Sequence, residues 1–137
     1  MLTGGCQCGS VRYSSAADLL YPPTLCHCRS CQRASGAHAV AWLTVPLASL
    51  QIESAGPASY GSSPGVKRGF CNRCGTPLTY WSERRSDEID VAVCTLDDPN
   101  AIVPVDNIWT EDAVHWEPSL HILPRLARSR SRSRSSS

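Results

Sequence analysis

No apolar run in the sequence approaches the ~18 residues that a bilayer-spanning helix needs, which excludes a helical membrane protein. The opening residues, MLTGGCQCG, carry neither the basic stretch nor the apolar core of a secretory signal. Charged residues are scarce, at 18%, and aromatic residues scarcer, at 7%, although four of those are Trp. There is no internal repeat beyond paired cysteines, which excludes solenoid and propeller architectures. What is left is 137 residues, 42% of them hydrophobic, the profile of one globular domain with a modest core. Such a core gains from cross-linking by metal or disulfide. The expected location is cytoplasmic, with the nucleus as the alternative.

Cysteine is what the chain does have: eight residues. In a reducing compartment thiols stay free, so eight of them point to metal rather than to disulfides. Charge is unevenly placed. The net value is +1, but RSRSRSRSSS (residues 128–137) holds four Arg, and without it nine Lys and Arg face twelve Asp and Glu. The body is therefore mildly acidic and not built to grip nucleic acid. We expect a domain over residues 1–125 and a disordered Arg/Ser tail over 126–137, because the tail lacks the apolar residues of a core. Contact between the tail and nucleic acid or a protein, set by phosphorylation, rests on its charge alone.

The body reads as mainly β. SVRYS, HAVAWLTV, LQIES, VKRGF and PLTYW have strand character. EIDVAVCTL alternates, with Ile89, Val91 and Val93 on one side and Asp90, Ala92 and Cys94 on the other. Cys94 is expected to be a small buried apolar residue. Helix is expected only in RSCQRASG and in one turn at PLASL.

Two cysteine sets stand out. Cys6 and Cys8 form C-x-C, and Cys71 and Cys74 form C-x-x-C followed by Gly75. Two thiolates from each pair make a closed tetrahedral set, the arrangement of structural zinc. Gly75 supplies the positive φ that closes the turn and aims backbone N–H groups at sulfur. Cys26, Cys28 and Cys31 sit in CHCRSC, spaced so that three thiolates converge from one loop. Three ligands and an open position is the layout of catalytic zinc. An open thiolate-rich zinc suits an incoming thiol, which it would deprotonate and activate toward an aldehyde. The alternative is a closed structural site completed by Cys94, His38 or a backbone group. His27, between two ligands in extended chain, points away from them and reads as a surface or supporting residue.

Five blocks in one order, GGCQCGSVRY, CHCRSCQRASGA, GVKRGFCNRCGTPLTY, IDVAVCTLDDPN and a final IW…W…LP, resemble the glutathione-dependent formaldehyde-activating enzyme family, also called the centromere protein V family. The resemblance implies a β-tent of small antiparallel sheets stapled by zinc. It implies carbon–sulfur lyase activity on adducts of glutathione with formaldehyde. It assigns Cys6, Cys8, Cys71 and Cys74 to a structural zinc and Cys26, Cys28 and Cys31 to a catalytic one. The chain departs from the family at DNIW, where Asn107 stands at a position the family often gives to His; an amide cannot shuttle a proton at pH 7.

Glutathione carries two carboxylates and one ammonium. Arg29, Arg33, Lys67 and Arg68 lie beside the cysteines and are candidates to hold the carboxylates, against the plainer reading of solvated surface charge. The four Trp read as core or pocket walls. Asp97 and Asp98, before Pro99, read as turn residues rather than acid–base groups. Three functions remain: an enzyme joining or cleaving a thiol and a small aldehyde, a non-catalytic zinc-stabilised binding module, and a redox-responsive thiol protein.

Overall fold

The computed structural model describes residues 1–53 and 56–130. Within them the chain runs through β1 (Leu2–Gly5), β2 (Arg12–Ser15), β3 (Thr24–Cys26), α1 (Arg29–Ser35), β4 (Val40–Pro46), β5 (Gln51–Ile52), β6 (Ala58–Ser63), β7 (Val66–Phe70), β8 (Pro77–Ser82), β9 (Glu88–Ala92) and β10 (Asp106–Ile108). Single 3-10 turns follow β4, β8 and β9, and two more shape the chain after β10. Among the described residues no helix is long and apolar enough to cross a membrane.

The chain is mainly β, as the sequence implies. A three-stranded sheet has the order β1-β2-β5, and a seven-stranded sheet the order β10-β3-β4-β9-β8-β7-β6. All pairs are antiparallel except β10 with β3, a parallel pair at the sheet edge. A single bridge between Gly4 and Leu96 links the three-stranded sheet to the segment after β9. The β6–β7 hairpin closes on Pro64 and Gly65, between the paired Ser63 and Val66. Proline presets the first turn position and Gly65, at φ 73°, takes the second.

β4 sets the two faces of the larger sheet. Leu43 and Val45 enter the main core with Val91, Leu78, Val11 and Tyr13, each 4% exposed or less. Full burial of such a side chain contributes about 1.5–3 kcal/mol. Trp42 turns the other way, into a smaller cluster with Cys26, Cys31 and Ala92. Partners in register share a face, so Thr44, Asp90, Tyr80 and Arg68 make one row across four strands. β8 serves both faces because its register skips a residue between Gly69–Thr79 and Phe70–Pro77. This bulge turns Leu78 into the core and leaves Tyr80 on the groove side.

Three readings need correction. β9 stops at Ala92, where Val93–Thr95 turn into a 3-10 helix, fixed by Thr95 Oγ1 donating to Ala92 O at 2.7 Å. Cys94 is consequently exposed, not buried. LQIES gives only the two residues of β5, and Ser54 lies outside the described residues. Of the tail, residues 126–130 are exposed, and 131–137 lie outside the described residues.

Asp97 ties the segment after β9 to the three-stranded sheet. Arg12 Nη1 and Nη2 donate to its two oxygens at 2.8 and 2.6 Å, and Thr3 Oγ1 donates at 2.7 Å. Asp98 accepts from Asn100 N at 3.0 Å, which is turn chemistry. The Arg12 hydrogen bonds, then that from Thr3, hold Asp97 down at about 2. A carboxylate depressed below its unfolded value of about 3.9 stabilises the fold above that pH and stops doing so as pH falls through the folded value. Asp97→Asn should therefore flatten the loss of stability between about pH 4 and pH 2 in urea unfolding measured across pH. Superimposable wild-type and mutant pH profiles would contradict this.

Candidate functional site

The turn between β1 and β2 carries Cys6 and Cys8, and the loop joining β7 to β8 carries Cys71 and Cys74. Their four sulfur atoms all lie within 4.8 Å of one another, with Cys6–Cys8 at 3.6 Å and Cys8–Cys71 at 3.8 Å. A tetrahedral ion with metal–sulfur bonds of about 2.3 Å has sulfur–sulfur edges of roughly 3.8 Å, so the set fits such an ion. The loop is built for sulfur. Arg73 N and Cys74 N donate to Cys71 Sγ at 3.3 and 3.4 Å, Val11 N donates to Cys6 Sγ at 3.2 Å, and Gly75 takes φ 83°. The Thr76 hydroxyl at 3.2 Å, followed by backbone N–H groups, holds Cys74 down at about 5.

The second set sits where β3 runs into α1. Cys26 ends the strand, Cys28 caps the helix by accepting from Cys31 N at 3.3 Å, and Cys31 lies in the first turn. Gly36, at φ 71°, ends the helix and donates to Gln32 O. The three sulfur atoms lie within 4.8 Å of one another, and among the described residues no fourth His, Cys, Asp or Glu joins them. Neither Cys94 nor His38 completes the set. Cys31 is held down to about 5, first by the Cys26 thiol at 3.6 Å, then by Cys28 and Arg68, against its burial. Cys26 is pushed up by the same pairing and by burial, and Cys28 by burial first. This soft set of three donors with one side open fits an ion that keeps a free position.

That open side faces a groove of about 540 Å³, walled by Trp42, Tyr80, Arg68, Ile108 and Trp109. Arg68 is 8% exposed. Its guanidinium stacks 5.0 Å from the Tyr80 ring, and its Nη2 donates to Ser30 Oγ at 2.9 Å and reaches Cys31 Sγ at 3.6 Å. Its Nε is buried without a hydrogen-bond partner among the described residues. Arg29 lines the same groove and donates to Gln32 Oε1 at 2.8 Å. Arg33 lines a neighbouring cavity. Lys67 is not brought to the site: adjacent residues of a strand face opposite ways, and Lys67 sits over the Trp81 ring at 5.8 Å. Of the four candidate cations, therefore, the two cavities gather three.

His27 points away from the sulfur set as expected, but it is fully buried. Its Nε2 lies 2.9 Å from Asn107 Oδ1, so Asn107 faces His27 and lines neither cavity. Gln32, missed in the sequence, donates to His27 O and to Asp112 O at 2.9 and 3.0 Å. It ties the cysteine loop to the turn that carries Trp109. Trp109 is the one non-glycine residue with positive φ, at 55°, among those described. A bulky side chain there is strained, and it holds a 58% exposed indole at the groove rim.

A mainly β chain with one closed and one open cysteine set defines a small class of metal-site domains. The chain belongs to the glutathione-dependent formaldehyde-activating enzyme family, whose model matches residues 1–112. A crystal structure of a Rhodobacter sphaeroides protein is similar over 77% of this chain and 98% of its own, with 25% identity and a TM-score of 0.61. No curated protein matches the chain.

The strain at Trp109 is testable by paired substitutions. Alanine keeps the Cβ that clashes at positive φ and glycine does not. Trp109→Gly should therefore be more stable than Trp109→Ala by about 1 kcal/mol in chemical denaturation, the reverse of the usual order. A less stable glycine variant would show the backbone there to be unstrained.

Proposed function

We propose that this chain is a zinc-dependent carbon–sulfur lyase acting on the adduct of a thiol, glutathione first, with formaldehyde or another small aldehyde. Zinc is proposed at both cysteine sets, structural at Cys6, Cys8, Cys71 and Cys74, catalytic at Cys26, Cys28 and Cys31. One observation carries the reading: three converging cysteines, with no fourth protein ligand among the described residues, open onto a groove beside the buried Arg68. Family membership supports the substrate class.

Zinc bound at the three cysteines supplies an open coordination position that favours the thiolate form of an entering thiol. The chain's own residues do the rest. Arg68, fixed by Ser30 and Tyr80, offers Nη2, beside Cys31, to an anionic oxygen or carboxylate as a charge-assisted donor. Arg29 offers a second cation at the same groove, and Arg33 a third on the adjoining cavity. Trp42 and Tyr80, with ring centres 6.3 Å apart, form a wall that excludes water from one side. In the forward direction the sulfur–carbon bond forms, the carbonyl π pair moves to oxygen, and the proton lost by the thiol ends on that oxygen through solvent. Holding both reactants at one site contributes by proximity.

The test is exchange of ¹³C-formaldehyde into S-hydroxymethylglutathione, followed by NMR against the uncatalysed rate. Wild type should exceed the background. Arg68→Met should lose about 10- to 100-fold, the worth of a charge-assisted hydrogen bond, while keeping its metal. A wild-type rate equal to background would sink the proposal.

A further inference from the structure

The open cysteine set borders two cavities, not one. The groove already described carries most of the charge: Arg29, Arg85, Asp90 and Asp112 contribute to its lining beside its aromatic walls. A second cavity, of about 710 Å³, lies alongside and is lined by Ala34, Val40, Tyr60, Phe70, Pro77 and Ala92. Ser30, Cys31, Trp42, Ser62 and Arg68 line both. Each volume falls within the roughly 300–1,000 Å³ of ordinary ligand sites. This groove has charges of both signs, which suit a peptide thiol with carboxylates and an ammonium. Formaldehyde has two heavy atoms and is closer in size to one water, whose share of liquid is about 30 Å³. It leaves the second cavity without a role.

Resting on the function proposed above, we infer that the second cavity holds the substituent of the carbonyl carbon. The chain is then matched to aldehydes with an extended apolar or aromatic substituent, and to the S-substituted adducts they form, in preference to formaldehyde. The chemistry is unchanged: sulfur bonds to the carbonyl carbon, the π pair goes to oxygen, and the thiol proton ends there. What changes is the third group on that carbon. It passes Cys31 and Arg68 into an apolar chamber whose other charged lining residue is Arg33. Its burial removes apolar surface from water, a gain that grows with each methylene.

Calorimetric titration of the metal-loaded protein with S-methylglutathione and S-hexylglutathione tests this without turnover. S-hexylglutathione should bind at least about tenfold tighter. The ratio should collapse toward one in Ala34→Phe, which fills the chamber from an exposed helix position, and should fall in Tyr60→Ala, which removes an exposed wall. Equal affinity of the wild type for the two conjugates overturns the inference while leaving the proposed function standing, and so does an advantage that survives Ala34→Phe. If neither conjugate binds, the glutathione reading fails, and 1-hexanol titration followed by NMR decides the cavity. Shifts at Phe70 and Val40, which line the second cavity alone, uphold an apolar chamber; their absence overturns it.

Discussion

Four sulfur atoms from the start and the middle of the chain meet within 4.8 Å, and the architecture depends on what holds them there. As thiolates they repel: two unit charges 4 Å apart cost about 4 kcal/mol at an effective dielectric near 20. A divalent cation there would turn that repulsion into a cross-link between the β1–β2 turn and the β7–β8 loop. Cys6 and Cys71 are buried in the main core with Val11, Leu78 and Leu96. Such a cross-link would fasten the two sheets at the place where a modest core has most to gain.

The two cysteine sets belong to different faces of one sheet. The four-cysteine set packs into the cluster around Leu43 and Val45. The three-cysteine set packs into the separate cluster around Trp42 and Ala92. The alternation of β4 makes this division, since neighbouring residues of one strand serve the two clusters. One set has four ligands, with Cys6 and Cys71 buried in the core and Cys8 exposed, and is suited to stability. The other keeps a face toward a groove with Arg68 pressed against Cys31, and is suited to chemistry. β10, paired in parallel with β3, and Gln32, bonded to both His27 and the 110–112 turn, brace the cysteine loop from behind.

Much of this was legible in the residues. Cysteine spacing showed both sets, because metal geometry is written into short intervals. Gly75 marked a turn that needs positive φ, and VKRGF and PLTYW held as strands. β3, β6 and β10 were not legible. β6 is an exposed edge strand of small polar residues, and β3 and β10 have three residues each, defined by their partners rather than by a pattern. Cys94 followed the alternation of β9 until the 3-10 turn broke it. Arg68 and Lys67 looked equivalent as neighbours in GVKRGF, and only the register of β7 against β8 separates them. Asn107 meeting His27, and the left-handed Trp109, arise from contacts across some eighty residues, or from strain that composition does not record.

The most direct test is the number of zinc ions per chain on protein purified without air, in wild type and in Cys28→Ser. Two independent sets predict about two ions in the wild type and about one in the variant, with the variant still folded around the four-cysteine site. About one ion in both proteins would mean that Cys26, Cys28 and Cys31 hold no standing metal, and would contradict the enzymatic account.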